Sequence, residues 1–168
     1  MGILNYEAYT ILARRDPPPI PMSEISQSSI DALKGISAPE SPAYRAIAEK
    51  RNIIVIQLES LQNFLIDLKV DGVEVTPVLN RLAKEHFYFS NFYQQVGPGN
   101  TSDAEFIVNT SYYVPKQGAA TQTYATKALP SLPKLLKSNG YFTATFHTNE
   151  VQFWNRDDLY ASLGFDRY

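Results

Sequence analysis

Thr101 and Ser102 follow Gly97-Pro98-Gly99-Asn100 and precede Asp103-Ala104-Glu105, which puts two hydroxyls where a glycine-containing turn feeds the start of a helix. Free N–H groups and the positive end of the helix dipole favour anions there, a good setting for a nucleophile. Gly97 and Gly99 lack a Cβ, so the backbone can turn sharply and approach a charged group closely. Ser102 with Glu105 three residues on also fits a capping box, so a plain turn and N-cap stands as the alternative to a nucleophile.

Two further groups carry chemistry. Glu59 directly follows the apolar run 52–58 and is either a metal ligand or a capping acid for the next element of the chain. A hard cation such as Mg²⁺ or Mn²⁺ suits oxygen donors from Glu59 and Thr101, and coordination would acidify the hydroxyl. In the stretch 146–157, Arg156 can clamp a phosphate with its planar fork, Trp154 can pack on an apolar or glycerol face, and His147 can hydrogen-bond a hydroxyl. The bland alternative makes Trp154 core and pairs Arg156 with Asp157 or Asp158. His86, between a helix and an aromatic run, reads as structural.

These residues must be delivered by regular elements. Residues 52–58 (Asn-Ile-Ile-Val-Ile-Gln-Leu) are a β-branched run typical of a central, doubly covered parallel strand. Thr76-Pro77 opens a helix with stripe positions Val78, Leu79, Leu82 and Ala83. Residues 87–93 read as a second strand, 131–137 as a helix closed by Asn139-Gly140, and 141–147 as a returning strand. The alternation predicts an α/β layered fold with a mostly parallel central sheet flanked by helices. Its ligand site is expected at the strand ends beyond Leu58, Gln95 and Phe146. Residues 1–50 differ in kind: prolines at 17–19, 21, 39 and 42 suit an extended connector, with short helices expected near 4–13 and 28–34.

Composition narrows the class. The formal charge of −2 and the lack of a Lys/Arg run disfavour nucleic acid. The absence of cysteine removes disulfides, thiolate metal sites and thiol nucleophiles. No apolar stretch approaches the roughly 20 residues that span a bilayer, and the chain as given reads as soluble.

Ile53 to Ser60, Glu74 to Asn80, Thr101-Ser102-Asp103 and Phe153-Trp154-Asn155-Arg156-Asp157, in that order, resemble the lipoteichoic acid synthase family. These are phosphoglycerol transferases of the sulfatase and alkaline-phosphatase superfamily. The resemblance covers about residues 50 to 168 and implies a partial sulfatase-like catalytic domain there, with 1–50 as its connector. It implies that Glu59 binds Mn²⁺ or Mg²⁺ and that Thr101 is a nucleophile that also touches the metal. It further implies that His147, Trp154 and Arg156 hold the glycerophosphate head group. Thr101 would attack phosphatidylglycerol, expel diacylglycerol and pass glycerophosphate to a growing polyglycerolphosphate chain. The implied setting is the extracellular side of a Gram-positive-type cell membrane, with the parent protein anchored by transmembrane helices.

The sequence departs from that family in lacking the Asp-His dipeptide and the further histidine that complete its site; only His86 and His147 occur. The chain is therefore expected to be the N-terminal part of a larger domain, inactive alone, with an exposed apolar face and the remainder of its own domain as a partner. Sulfatase activity is disfavoured because Thr101 does not head a Cys/Ser-x-Pro-x-Arg pattern. Phosphoethanolamine transfer and a non-catalytic head-group-binding module stay as alternatives, and primase and polymer synthase are not separated by these residues.

Overall fold

The computed structural model describes residues 21–35 and 43–168, and the chain divides into two units, 1–53 and 54–168. The helix expected near 4–13 and most of the proline clusters lie outside the described residues. In the first unit, α1 (Gln27–Lys34) is fixed at both ends. The Ser26 hydroxyl accepts the Ser29 N–H at 3.1 Å, and the Ser29 hydroxyl accepts the Ser26 N–H at 2.8 Å. Two otherwise orphaned donors are thereby satisfied. Gly35, left-handed at φ +61°, closes the helix.

The second unit contains the only ladder between strands among the described residues. It is a hairpin of β1 (Lys69–Val70) and β2 (Val73–Glu74), with Lys69 opposite Glu74 and Val70 opposite Val73. Asp71 and Gly72 both take positive φ, at +50° and +80°, as a tight primed turn requires. The Asp-Gly pair is the sequence signal for this hairpin, which the expected elements did not include. Next comes α2 (Pro77–Glu85), starting at the expected Thr76-Pro77. The Thr76 hydroxyl does not cap it. It donates instead to the Leu65 carbonyl at 2.9 Å. His86 is the exposed residue that closes α2.

The runs expected as strands are not strands here. Residues 54–58 and 87–93 have no assigned strand, and within 141–147 only Ala144 bridges, in parallel, to Arg167. Ile54 and Ile56 are 83% and 76% exposed, and Phe89, Phe92 and Phe146 are exposed as well. An apolar, β-branched run prescribes burial, but a strand exists only when a neighbouring backbone takes up its N–H and C=O groups. Among the described residues no backbone ladder forms on 54–58 or 87–93, and 141–147 gains only the single Ala144–Arg167 bridge.

The packed core is helical. It is formed by α3 (Thr101–Thr110), α4 (Ala120–Tyr124), α5 (Leu132–Ser138) and α6 (Arg156–Leu163). Phe106, Ala120, Leu159 and Leu163 are fully buried together, with Val114, Tyr124, Leu129 and Phe165 packed around them. Leu159 and Leu163 lie four residues apart on one face of α6, and Phe106 of α3 stacks on Tyr124 at 5.5 Å. Helix α5 is capped by Ser131 as expected and is followed by Gly140 at φ +81°. The Ser131 hydroxyl also donates to the Leu163 carbonyl at 2.5 Å and so ties α5 to α6. Together these contacts anchor α3, the helix that begins at Thr101.

One edge of this core is acid-sensitive. Asp166 pairs with Lys137 at 2.5 Å and accepts both the N–H and the hydroxyl of Thr143 at 2.9 Å. The Lys137 hydrogen bond first, and then those from Thr143, hold its carboxyl down at about 2, against an ordinary 3.8. A carboxyl whose pKa is lower in the folded state stabilises the fold above its unfolded pKa. That contribution disappears as the pH falls through the folded value, here between about pH 4 and pH 2. Asp166→Asn is expected to flatten the loss of stability across that window in thermal melts. An unchanged acid limb would remove Asp166 from the cause.

Candidate active site

Thr101 is the first residue of α3, and Asn100 before it sits at φ +44°, ψ −110°. The positive φ thus falls on a non-glycine residue, a strained conformation held by its surroundings. The holding group is Asp103, which is fully buried. Its Oδ2 accepts the N–H groups of Gly97 and Gly99, each at 2.9 Å, and its Oδ1 accepts that of Ala120 at 2.8 Å. A Cβ on Gly99 would collide with this carboxylate and lie 2.8 Å from the Ala119 Cβ. The close approach that glycine permits is therefore to a charged group of the chain itself. Sequence reasoning missed Asp103. Its signal was an acid in the first turn of a helix entered from Gly-x-Gly.

The capping box expected from Ser102 and Glu105 is not formed. Ser102 is the second residue of α3, and its hydroxyl donates to the Gly99 carbonyl at 2.9 Å. Glu105 turns away to another partner. The Asp103 carboxylate has taken over the turn's free N–H groups, and a buried arginine has taken Glu105.

Glu59 and Thr101, 42 residues apart, meet directly: the Thr101 hydroxyl donates to Glu59 Oε2 at 2.5 Å. The Gln57 amide donates to the Thr101 carbonyl at 3.2 Å, so the segment before Glu59 is also tied to α3. Glu59 is exposed and Thr101 half-buried. Two adjacent hard oxygen donors are the right chemistry for Mg²⁺ or Mn²⁺. Among the described residues no cluster of three or more His, Cys, Asp or Glu side chains could hold a metal.

Glu105 lies four residues after Thr101, on the same face of α3 one turn along. Its carboxylate accepts Arg156 Nε at 3.1 Å to both oxygens and Arg156 Nη2 at 2.8 Å. The Tyr160 hydroxyl donates to it at 2.8 Å, and His147 Nε2 stands 3.8 Å away. Arg156 is 1% exposed and also donates from Nη1 to the Phe153 carbonyl at 2.8 Å. Burial opposes its charge, but the hydrogen bonds and charge of Glu105 outweigh that and raise its pKa. Burial, and then the charge of Glu105, push the Tyr160 hydroxyl up, so it remains a donor near neutral pH. Arg156 thus pairs with Glu105 across 51 residues, and neither Asp157 nor Asp158 is the partner.

Trp154 and Asn155 take left-handed conformations, φ +62° and +55°, which break the short turn Phe153–Asn155 away from α6. Trp154 is half-buried, packs edge-on against Phe153 at 5.7 Å, and lines an open depression of about 400 Å³ with Gln122, Phe153 and Asn155. His147 turns its Nδ1 toward the Asn149 N–H, at 2.9 Å. The structure therefore brings Glu59 to Thr101, and gathers Arg156 and His147 around Glu105 one turn away. Trp154 lines its own depression beside Arg156 in sequence.

Residues 51–168 match the family model described as Sulfatase. This chain belongs to the sulfatase family. It is 50% identical over 127 residues to lipoteichoic acid synthase 2 of Bacillus subtilis (strain 168), covering 74% of this chain and 20% of that protein. It is 46% identical over 132 residues to the lipoteichoic acid synthase of Staphylococcus aureus (strain USA300), covering 76% of this chain and 20% of the relative. The chain thus spans about a fifth of the length of these relatives. Among solved structures it is similar to the lipoteichoic acid synthase LtaP from Listeria monocytogenes, with a TM-score of 0.81 and 42% identity, over 85% of this chain and 35% of that one. The fold class is accordingly the expected α/β sulfatase-like fold, in part. The missing ladders qualify individual strands and leave the class intact.

Proposed function

We propose that this chain carries the nucleophile and head-group contacts of an enzyme that transfers glycerophosphate from phosphatidylglycerol to a growing polyglycerolphosphate chain. The observation that carries the reading is the Thr101 hydroxyl, presented at the start of α3 and 2.5 Å from Glu59, in a sulfatase-family chain whose relatives are lipoteichoic acid synthases. In the first step the Thr101 oxygen bonds to phosphorus, and the diacylglycerol oxygen leaves with a proton. In the second, a terminal glycerol hydroxyl takes the glycerophosphate and restores the threonine.

Glu59 and Thr101 would hold one Mn²⁺ or Mg²⁺, which when bound lowers the pKa of the threonine hydroxyl and offsets charge on the phosphoryl oxygens. Two protein ligands leave the rest of its coordination to water and other residues. Arg156 and His147 hold the head-group phosphate and a glycerol hydroxyl, and Trp154 packs on the glycerol face. The helix start of α3 favours the anionic phosphoryl group as it arrives. The proposed setting is the outer face of the cell membrane. No helix among the described residues is long and apolar enough to cross a membrane.

The test is diacylglycerol release by the intact protein, with and without Mn²⁺, from phosphatidylglycerol and from phosphatidylethanolamine in parallel. Release from phosphatidylglycerol, together with a glycerophosphate adduct on Thr101 in peptide mass spectra, is the expected result. Preferential release from phosphatidylethanolamine moves the chain to ethanolamine-phosphate transfer, and no release from either lipid leaves a binding module.

A further inference from the structure

We infer that Glu105 is a positioning residue for the head-group site: it sets the orientation of Arg156 relative to Thr101, with His147 close beside the pair. The inference rests on the proposed transferase reading and adds a residue to it. Glu105 is the one acid, among the described residues, that faces Arg156, His147 and Tyr160 together. It also sits on α3 four residues after Thr101, so one rigid helix carries both the attacking hydroxyl and the anchor for the phosphate-binding side chains.

The geometry leaves Arg156 little freedom. Its Nε and Nη2 are directed at Glu105 and its Nη1 at the Phe153 carbonyl, and it is buried. A long side chain that is both buried and forked onto a carboxylate is fixed in direction, and a phosphate can meet only the second N–H of Nη1 and of Nη2. The place of the guanidinium is decided beforehand by the carboxylate. Tyr160 in turn fixes Glu105 by donating to Oε2, and α6 fixes Tyr160 through Leu159 and Leu163 in the core. The chain of support therefore runs from core to Tyr160, to Glu105, to Arg156, and its end is a guanidinium held by a residue one helical turn from Thr101. Preorganisation of this kind acts on binding of the phosphate, before any bond is made.

The experiment measures KM and kcat for phosphatidylglycerol with the intact protein, and titrates glycerol phosphate by calorimetry into the Thr101→Ala background. Glu105→Ala is expected to raise KM and weaken glycerol phosphate binding at least tenfold, with kcat within threefold. Glu105→Gln keeps the shape but removes the counter-charge and turns an amide donor toward Arg156 or Tyr160, so it should recover only part of the loss. If the alanine variant does not fold, Glu105→Asp keeps the charge but withdraws the carboxylate by one methylene, and a roughly tenfold rise in KM is expected there. A lowered melting temperature with unchanged KM and unchanged glycerol phosphate affinity makes Glu105 purely structural and overturns the inference. No diacylglycerol release from phosphatidylglycerol by the unsubstituted protein overturns the transferase reading instead, so the two failures are distinct.

Discussion

Thr101→Ala is expected to reduce diacylglycerol release by the intact protein by on the order of 10⁴ to 10⁶-fold, the range seen when a covalent nucleophile is deleted. That is about 5–8 kcal/mol of barrier, far more than loss of one neutral hydrogen bond could produce. The size of the effect separates a nucleophile from a capping residue, for which about 1 kcal/mol of stability is the usual loss. The structure adds a reason to expect little collateral damage. Thr101 is half-buried, and its side chain has Glu59, an exposed group, as hydrogen-bond partner, so the helix start should survive the change. Glycerol phosphate binding should therefore remain measurable, because Arg156 is held by Glu105 and His147 meets the Asn149 N–H, neither depending on Thr101. Thr101→Ser, which keeps a hydroxyl, should retain turnover well above the alanine variant. Release within about tenfold of the parent in Thr101→Ala would mean that another group attacks phosphorus.

The second large effect is on stability. Asp103→Ala should lower the unfolding free energy by about 3–5 kcal/mol, because it strands the N–H groups of Gly97, Gly99 and Ala120 that one buried carboxylate now satisfies. For a chain of this size that corresponds to a melting temperature lower by roughly 6–20 °C. Asp103→Asn is nearly isosteric yet should also destabilise. All three partners are donors, and one end of an amide would point another donor at them. An asparagine variant as stable as the parent would show that shape, and not the acceptor pair, is what the turn requires. Because the same turn leads into Asn100 and Thr101, either variant should also blur the placement of the Thr101 hydroxyl.

The two effects concern neighbouring residues of one helix but different kinds of work. Asp103 faces inward and binds α3 to the glycine turn and to α4, whereas Thr101 faces Glu59 at the surface. Their separation by two residues explains how the helix is anchored on one side and presents the Thr101 hydroxyl to Glu59 on the other.

Local signals were readable along the chain because they need only neighbours within about four residues. Thr76-Pro77 and Ser131 marked the starts of α2 and α5, Asn139-Gly140 marked an end, and Thr101 was placed at the head of α3. The resemblance carried by four ordered motifs correctly named the sulfatase family and the fold class. What sequence could not display were the partnerships that span the chain. The commitment of Arg156 to Glu105 joins residues 51 apart, and the use of Asp103 by Ala120 joins residues 17 apart. At Glu105 a local rule lost: the capping box at Ser102 gave way because a buried guanidinium needs a counter-charge more than an N-cap needs a second bond. The runs at 52–58, 87–93 and 141–147 show the same limit from the other side. Residue type sets a preference for burial and an extended chain, but a strand forms only where another backbone arrives to pair with it.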